Sequence, residues 1–191
     1  MAHFFAYLSR MRYIKRWNIM RNTQDENIQE HSLQVAMIAQ CLCKVRNKFF
    51  GGQLDEKEVL SLAIYHEAAE VITGDLATPI KYYNPEIRTA YKHVEHVASL
   101  KMLDMLPEEL KPEYKPFLFP DESIEEWRIV KAADKICAYL KCIEELKAGN
   151  MEFDKAHSSI LADIEKMELA EVKYFMDNFV DSFSLTLDEL N

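Results

Sequence analysis

The sequence predicts an all-α fold, and three observations carry that prediction. Only four glycines occur in 191 residues, Gly51, Gly52, Gly74 and Gly149, against a usual share of about 7%. A dinucleotide-binding turn, a phosphate loop or a series of β-hairpins needs more glycine, and in other places. Apolar residues recur at intervals of three and four, and cap residues punctuate the runs. All six prolines fall between Pro79 and Pro120, which gathers the irregular structure in the middle of the chain.

Each element follows from these signals. A first amphipathic helix covers roughly His3 to Ile14 and leads into a turn at Arg16-Trp17. A second begins near Asn27, with Glu30 three residues on as a capping-box partner, and runs to about Phe49, where Gly51-Gly52 ends it. A third starts at Asp55, with Glu58 in the same relation, and ends near Gly74. Pro85 opens a fourth, continuing to about Leu106. Ser123 with Glu126 caps a fifth, terminated by Gly149-Asn150, and one or two more cover Glu152 to Phe179. With no repeat, low-complexity tract or linker, residues 1–191 read as a single domain whose motif-bearing core spans about 27–142.

The net charge of −9, from 32 acidic and 23 basic residues, argues against a nucleic-acid polymer as partner, because tracking phosphates needs a basic face. A small anion remains accessible, since one arginine or a metal outweighs a diffuse negative field. Cys41, Cys43, Cys137 and Cys142 form no CxxC pair and fall in apolar helical patterns, which reads as reduced, buried thiols. The N-terminus lacks a basic start and is broken by Ser9 and Arg10, a poor signal peptide. No apolar run approaches the ~20 residues of a membrane span. A soluble cytoplasmic protein without a membrane partner is expected.

Three apolar stripes are interrupted by polar side chains. On the second helix Val35, Ile38, Leu42, Val45 and Phe49 form a stripe that extends backward by four to His31. On the third, Val59 and Leu62 are followed at +4 by His66, with Glu70 a further four on. On the fifth, Trp127 and Val130 lead to Asp134, with Cys137 next in register. A lone histidine in such a stripe is ordinarily a hydrogen-bonded core residue. A lone aspartate is rarer there, because a buried carboxylate is costly without a partner. Three intrusions with Glu67 and Glu70 beside His66 have a shared explanation in a divalent cation, which offsets the charge and accepts imidazole nitrogens.

The order His31 … His66-Glu67 … Asp134 resembles the His … His-Asp … Asp signature of the HD-domain phosphohydrolases, which are helical bundles with a metal between helices. The segments Asn27-Ile28-Gln29-Glu30-His31-Ser32, Glu70-Val71-Ile72-Thr73-Gly74-Asp75 and Lys131-Ala132-Ala133-Asp134-Lys135 look like the bacterial 5′-deoxynucleotidase group. So do His3-Phe4-Phe5-Ala6 and Ser182-Phe183-Ser184-Leu185, so the resemblance spans essentially the whole chain. It implies hydrolysis of deoxyribonucleoside 5′-monophosphates to deoxynucleoside and phosphate, one divalent metal such as cobalt or manganese, and a homodimer. Carried over, the metal ligands are His31, His66, Glu67 and Asp134. Arg16 orients phosphate, and Trp17 shapes the sugar–base pocket. Glu70 matches the catalytic glutamate, and Asp75-Leu76-Ala77-Thr78 the loop after the glycine. Substrate-contacting residues would be Arg16, Trp17, His31, Glu67, Asp75, Leu76, Ala77, Thr78 and Asp134.

Two positions depart from the pattern. Ala77 stands where the group often has proline, which changes loop stiffness. Glu67 stands where the signature has aspartate, and its extra methylene displaces the carboxylate by roughly one bond length against metal–oxygen distances of about 2.0–2.2 Å.

The chemistry is consistent with these residue types. A divalent metal acidifies water and screens a phosphoryl oxygen, and the planar fork of Arg16 suits phosphate. Glu70, at i+4 from His66 on a continuous helix, could position water or carry its proton, and Asp75 could act on the leaving oxygen. The sequence leaves acid and base unassigned between them. Catalysis therefore rests on Glu70, Asp75 and Arg16. Two alternatives stay open: a nucleotide-binding HD protein impaired by Glu67, and an HD hydrolase of another phosphorylated nucleotide. His93 and His96 lie off the stripe of Ile87, Tyr91, Val94 and Ala98 and read as solvated. The pairs Glu108-Glu109, Glu125-Glu126 and Glu144-Glu145 read as helix-start or surface charge.

Overall fold

Asn27 caps the second helix as its sequence predicts. Its Oδ1 accepts from the backbone N–H groups of Gln29 and Glu30, both at 3.0 Å. The computed structural model describes residues 2–77, 80 and 83–190, so Thr78, an expected substrate contact, lies outside the described residues. In chain order the α-helices are α1 (Phe4–Leu8), α2 (Ile28–Phe49), α3 (Glu56–Tyr65), α4 (Glu70–Thr73), α5 (Pro85–Asp104), α6 (Lys111–Leu118), α7 (Glu125–Lys147), α8 (Asp154–Glu165) and α9 (Ala170–Phe179). Among the described residues the only β pairing is an isolated antiparallel bridge between Lys15 and Asn27. The all-α prediction holds.

The caps explain most of these starts. Asp55 Oδ1 accepts from Lys57 N at 2.8 Å ahead of α3, and Asn84 Oδ1 from Ile87 N at 2.7 Å ahead of α5. Gly51 and Gly149 end α2 and α7 at φ of +70° and +82°, a region glycine enters without steric cost. Four expectations are corrected. The first helix breaks at Ser9, whose hydroxyl donates back to Ala6 O at 2.9 Å, and Ser9–Tyr13 tightens into 3₁₀. At α7 the cap position is held by Ile124 with no side-chain cap bond, not by Ser123, and Glu126 instead accepts from Asp55 N at 3.2 Å. The proline-rich middle contains α6, with Pro112 in its first turn, where a missing N–H costs nothing. On α5 the stripe is buried only at its C-terminal end: Ala98, Met102 and Leu103 are buried while Val94 is 49% exposed.

The chain divides into two compact units. The first comprises Met1–Arg21, Asp25–Leu33 and Ile64–Glu122. Its core gathers Phe4, Ala68, Met102, Leu106 and Leu118, with Phe4 edge-on to Tyr114 at 5.4 Å and Tyr65 stacked on Phe117 at 5.8 Å.

The second unit comprises Asn22–Gln24, Gln34–Ala63 and Ser123–Asn191. Here α7 packs along α8, and Leu42, Leu62, Ile136, Leu140 and Phe153 are fully enclosed. Glu145, read from sequence as surface charge, is corrected to a buried carboxylate, 1% exposed. It accepts from Thr23 N and Oγ1, Asn150 Nδ2 and Lys141 Nζ. The four cysteines are free, three of them buried and Cys41 half-buried. Among the described residues no helix is long and apolar enough to cross a membrane.

Candidate metal centre

The first unit brings two of the stripe-breaking residues together. His31, one turn into α2, is fully buried, and the His66 side chain is 1% exposed. Their ring centroids lie 5.5 Å apart. Glu67 completes the cluster: its Oε1 stands 3.7 Å from Nε2 of His31 and 3.7 Å from Nε2 of His66. One ligand atom from each of the three lies within 4.8 Å of the others.

His66 and Glu67 do not sit on a continuous helix, which corrects the expected third helix. The chain leaves α3 at Tyr65 and resumes as α4 at Glu70. Across the gap the hydrogen bonds reach back three residues: Ala68 N to Tyr65 O at 2.9 Å, Glu70 N to Glu67 O at 3.0 Å and Ile72 N to Ala69 O at 3.0 Å. Such bonds wind the backbone more tightly than an α-helix. The i+4 relation of Glu70 to His66 therefore does not place them on one helical face. Glu70 is nonetheless buried, at 9% exposure.

Arg16 and Trp17 enter from a loop that closes on itself. The Lys15–Asn27 bridge, Arg16 N to Glu26 O at 2.9 Å and Ile28 N to Ile14 O at 3.0 Å tie its ends together. The guanidinium of Arg16 spans two carboxylates, with Nε donating to Glu26 Oε2 at 3.1 Å and Nη1 to Glu67 Oε1 at 2.8 Å. The indole Nε1 of Trp17 donates to the same Glu26 Oε2 at 3.0 Å. Trp17 holds a φ of +55°, which is uncommon for a bulky residue. Burial works to raise the Glu26 pKa, but hydrogen bonding with His31, the charge of Arg16 and the Trp17 indole hold it below the usual carboxylate range.

The loop after α4 joins this edge through its backbone. Asn18 Nδ2 donates to Asp75 O at 2.8 Å, and Tyr91 OH donates to Gly74 O at 3.1 Å. Gly74 adopts φ +73°, ψ 162°, and Asp75, Leu76 and Ala77 are half-buried. Asp134 belongs to the second unit, on α7, with its side chain 20% exposed and its Oδ2 accepting from Lys131 Nζ one turn earlier. His93 and His96 are exposed, as expected.

Sequence reasoning missed Glu26, Asn18 and Tyr91. Glu26 sits in the irregular run Asp25-Glu26-Asn27, where no periodicity marks a buried position, and only closure of the loop brings it inward.

The donor set suits a divalent cation. Two imidazole nitrogens and a carboxylate oxygen face one another, the mixture that borderline first-row metals accept. Glu26 and Glu67 bring two carboxylates to one guanidinium, and buried negative charge of that kind calls for a positive partner.

A model of the YfbR-like 5′-deoxynucleotidase family matches residues 3–183. Over its full length the chain is 51% identical to a 5′-deoxynucleotidase of Vibrio cholerae serotype O1, 98% of which is covered. Among solved structures, an HD-domain phosphohydrolase from Listeria innocua superposes with a TM-score of 0.80 at 27% identity, covering 95% of this chain and 88% of that one. The HD phosphohydrolase DatZ of cyanophage S-2L, solved with dA and one catalytic zinc ion, gives a TM-score of 0.67 at 18% identity. That match covers 93% of this chain and 96% of that one, a likeness in fold.

Proposed function

The chain belongs to the YfbR-like 5′-deoxynucleotidase family, and from that premise we propose that the histidine–carboxylate cluster is where deoxyribonucleoside 5′-monophosphates lose their phosphate. The protein is a 5′-deoxynucleotidase, a phosphoric monoester hydrolase. The observation that carries this site assignment is the buried cluster of His31, His66 and Glu67 with Arg16 donating directly into it.

In this reading His31, His66, Glu67 and Asp134 hold one divalent cation, cobalt or manganese. Bound there, the cation supplies Lewis acidity, screening the phosphoryl charge and making water a competent nucleophile. Arg16 binds a phosphate oxygen through its fork and stabilises the charge that builds on the equatorial oxygens. Trp17 with Leu76 and Ala77 walls the sugar, rejecting a 2′-hydroxyl by contact, since an apolar pocket alone discriminates poorly against an added hydroxyl. Glu70 and Asp75 carry the protons of the attacking water and the leaving 5′-oxygen. The enzyme works as a homodimer in the cytoplasm, where its four free cysteines stay reduced.

The test is phosphate release from dAMP, dTMP, AMP and dATP with added cobalt or manganese. Release from the deoxynucleoside monophosphates, its loss with a chelator and its abolition in Asp134→Ala are expected. Activity retained by Asp134→Ala would remove the ligand assignment. The Arg16–Glu67 ion pair favours a second reading, an impaired nucleotide binder, because it occupies the arginine. Tight dAMP binding without release under any metal would select it.

A further inference from the structure

Glu26 is assigned no part in the reaction by the family signature, yet three functional side chains converge on it. Its Oε2 accepts from Arg16 Nε at 3.1 Å and from Trp17 Nε1 at 3.0 Å. Its Oε1 lies 3.7 Å from Nδ1 of His31, whose other nitrogen faces Glu67. Its backbone carbonyl accepts from Arg16 N at 2.9 Å. The side chain is only 13% exposed, so these partners, rather than water, surround the carboxylate.

Resting on the deoxynucleotidase reading above, we propose that Glu26 is the positioning residue of this site, one carboxylate that aims the phosphate-binding arginine, the sugar-facing tryptophan and a metal-ligating histidine together. Each link has a distinct physical effect. Toward His31, a carboxylate on the Nδ1 side favours the tautomer with its proton on Nδ1 and leaves Nε2 as the donor atom. Toward Arg16, the Nε bond fixes the plane of the guanidinium and with it the direction of Nη1, which donates to Glu67 at 2.8 Å. Toward Trp17, the indole bond and the Met20 N to Trp17 O turn at 2.9 Å hold a residue whose φ of +55° the backbone does not favour by itself. Strained conformations of this kind persist only where surrounding contacts over-determine them. Glu26 thereby couples sugar discrimination to phosphate and metal affinity.

The experiment uses the full chain with Glu26→Gln, Glu26→Asp and Trp17→Phe. Manganese affinity is measured with the metal alone by calorimetry. Trp17 emission is read in a Trp127→Phe background, since these are the only two tryptophans. Kinetics are compared for dAMP and AMP. Glu26→Gln is expected to weaken manganese binding about 10–100-fold and to raise KM for dAMP about tenfold or more with a smaller change in kcat. It should also shift Trp17 emission and lower the preference for dAMP over AMP. Glu26→Asp, which keeps the charge, should recover part of each effect.

Manganese affinity, KM and emission all within twofold of the parent in Glu26→Gln would overturn the proposal. If Glu26→Gln loses its helical circular dichroism, Trp17→Phe decides instead, because it removes only the indole donor. It should lower deoxyribose preference while manganese affinity stays at the parent value, and an unchanged preference overturns the coupling. If the parent releases phosphate from no nucleotide, the deoxynucleotidase reading fails alone, and the metal titration and Trp17 emission still decide the role of Glu26.

Discussion

Glu67→Asp tests how the longer acid is accommodated. In the structure Glu67 Oε1 takes a hydrogen bond from Arg16 Nη1 at 2.8 Å while standing 3.7 Å from both histidine Nε2 atoms. Removing one methylene withdraws the carboxylate by about 1.5 Å, one C–C bond, which carries it past the ~3.2 Å limit of a good N–H···O bond to Arg16. Both partners are 11% exposed, so a charge-assisted bond worth about 1.5–3 kcal/mol is lost. A phosphate approaching Arg16 in the parent must compete for that same Nη1. Freed of the competitor, Arg16 should bind phosphate more tightly, and if half of that energy is realised KM for dAMP falls about three- to tenfold. The variant should keep or raise kcat and lose about 1–2 kcal/mol in urea unfolding, because Arg16 loses its charge-assisted bond to Glu67. Steady-state phosphate release from dAMP with manganese checks the kinetics. An unchanged or higher KM would refute the idea that Glu67 holds the arginine back, and a collapse of kcat would show a site adapted to glutamate.

Two further outcomes test the scaffold. The Glu145 carboxyl is held at about 2; burial pushes it up, but hydrogen bonds from Lys141, Asn150 and Thr23 outweigh that. A depressed folded-state pKa stabilises above the unfolded value and is lost as pH falls from about 4.5 toward 2, here about 3 kcal/mol. Urea unfolding at pH 6 and pH 3 should show about 2 kcal/mol of that loss, and Glu145→Gln should flatten it while costing about 3–5 kcal/mol at pH 6 by leaving Lys141 without its carboxylate partner. Gly74→Ala meets open space within 4 Å but must adopt φ +73°. Its strain of about 1–3 kcal/mol should appear as a lower Tm, and displacement of the Asp75 loop as a raised KM.

Local rules made much of this protein legible in its sequence. The caps at Asn27, Asp55 and Asn84 and the stops at Gly51 and Gly149 act within four residues of themselves, so they can be read without knowing what they pack against. His31 was visible because it interrupts an apolar stripe whose periodicity belongs to one helix. Tertiary structure decided what depends on residues distant in the chain. The tightening after Tyr65 moved His66 and Glu67 off the helix and undid the face shared with Glu70. Arg16 met Glu67 across 51 positions. Glu26 and Glu145 look like ordinary solvated acids in the sequence, and what buries them is the company of Arg16 and Trp17 in one case and of Thr23, Lys141 and Asn150 in the other. A carboxylate carries no periodic signature of its own burial, because the cost of desolvating it is offset only by donors that folding brings to it.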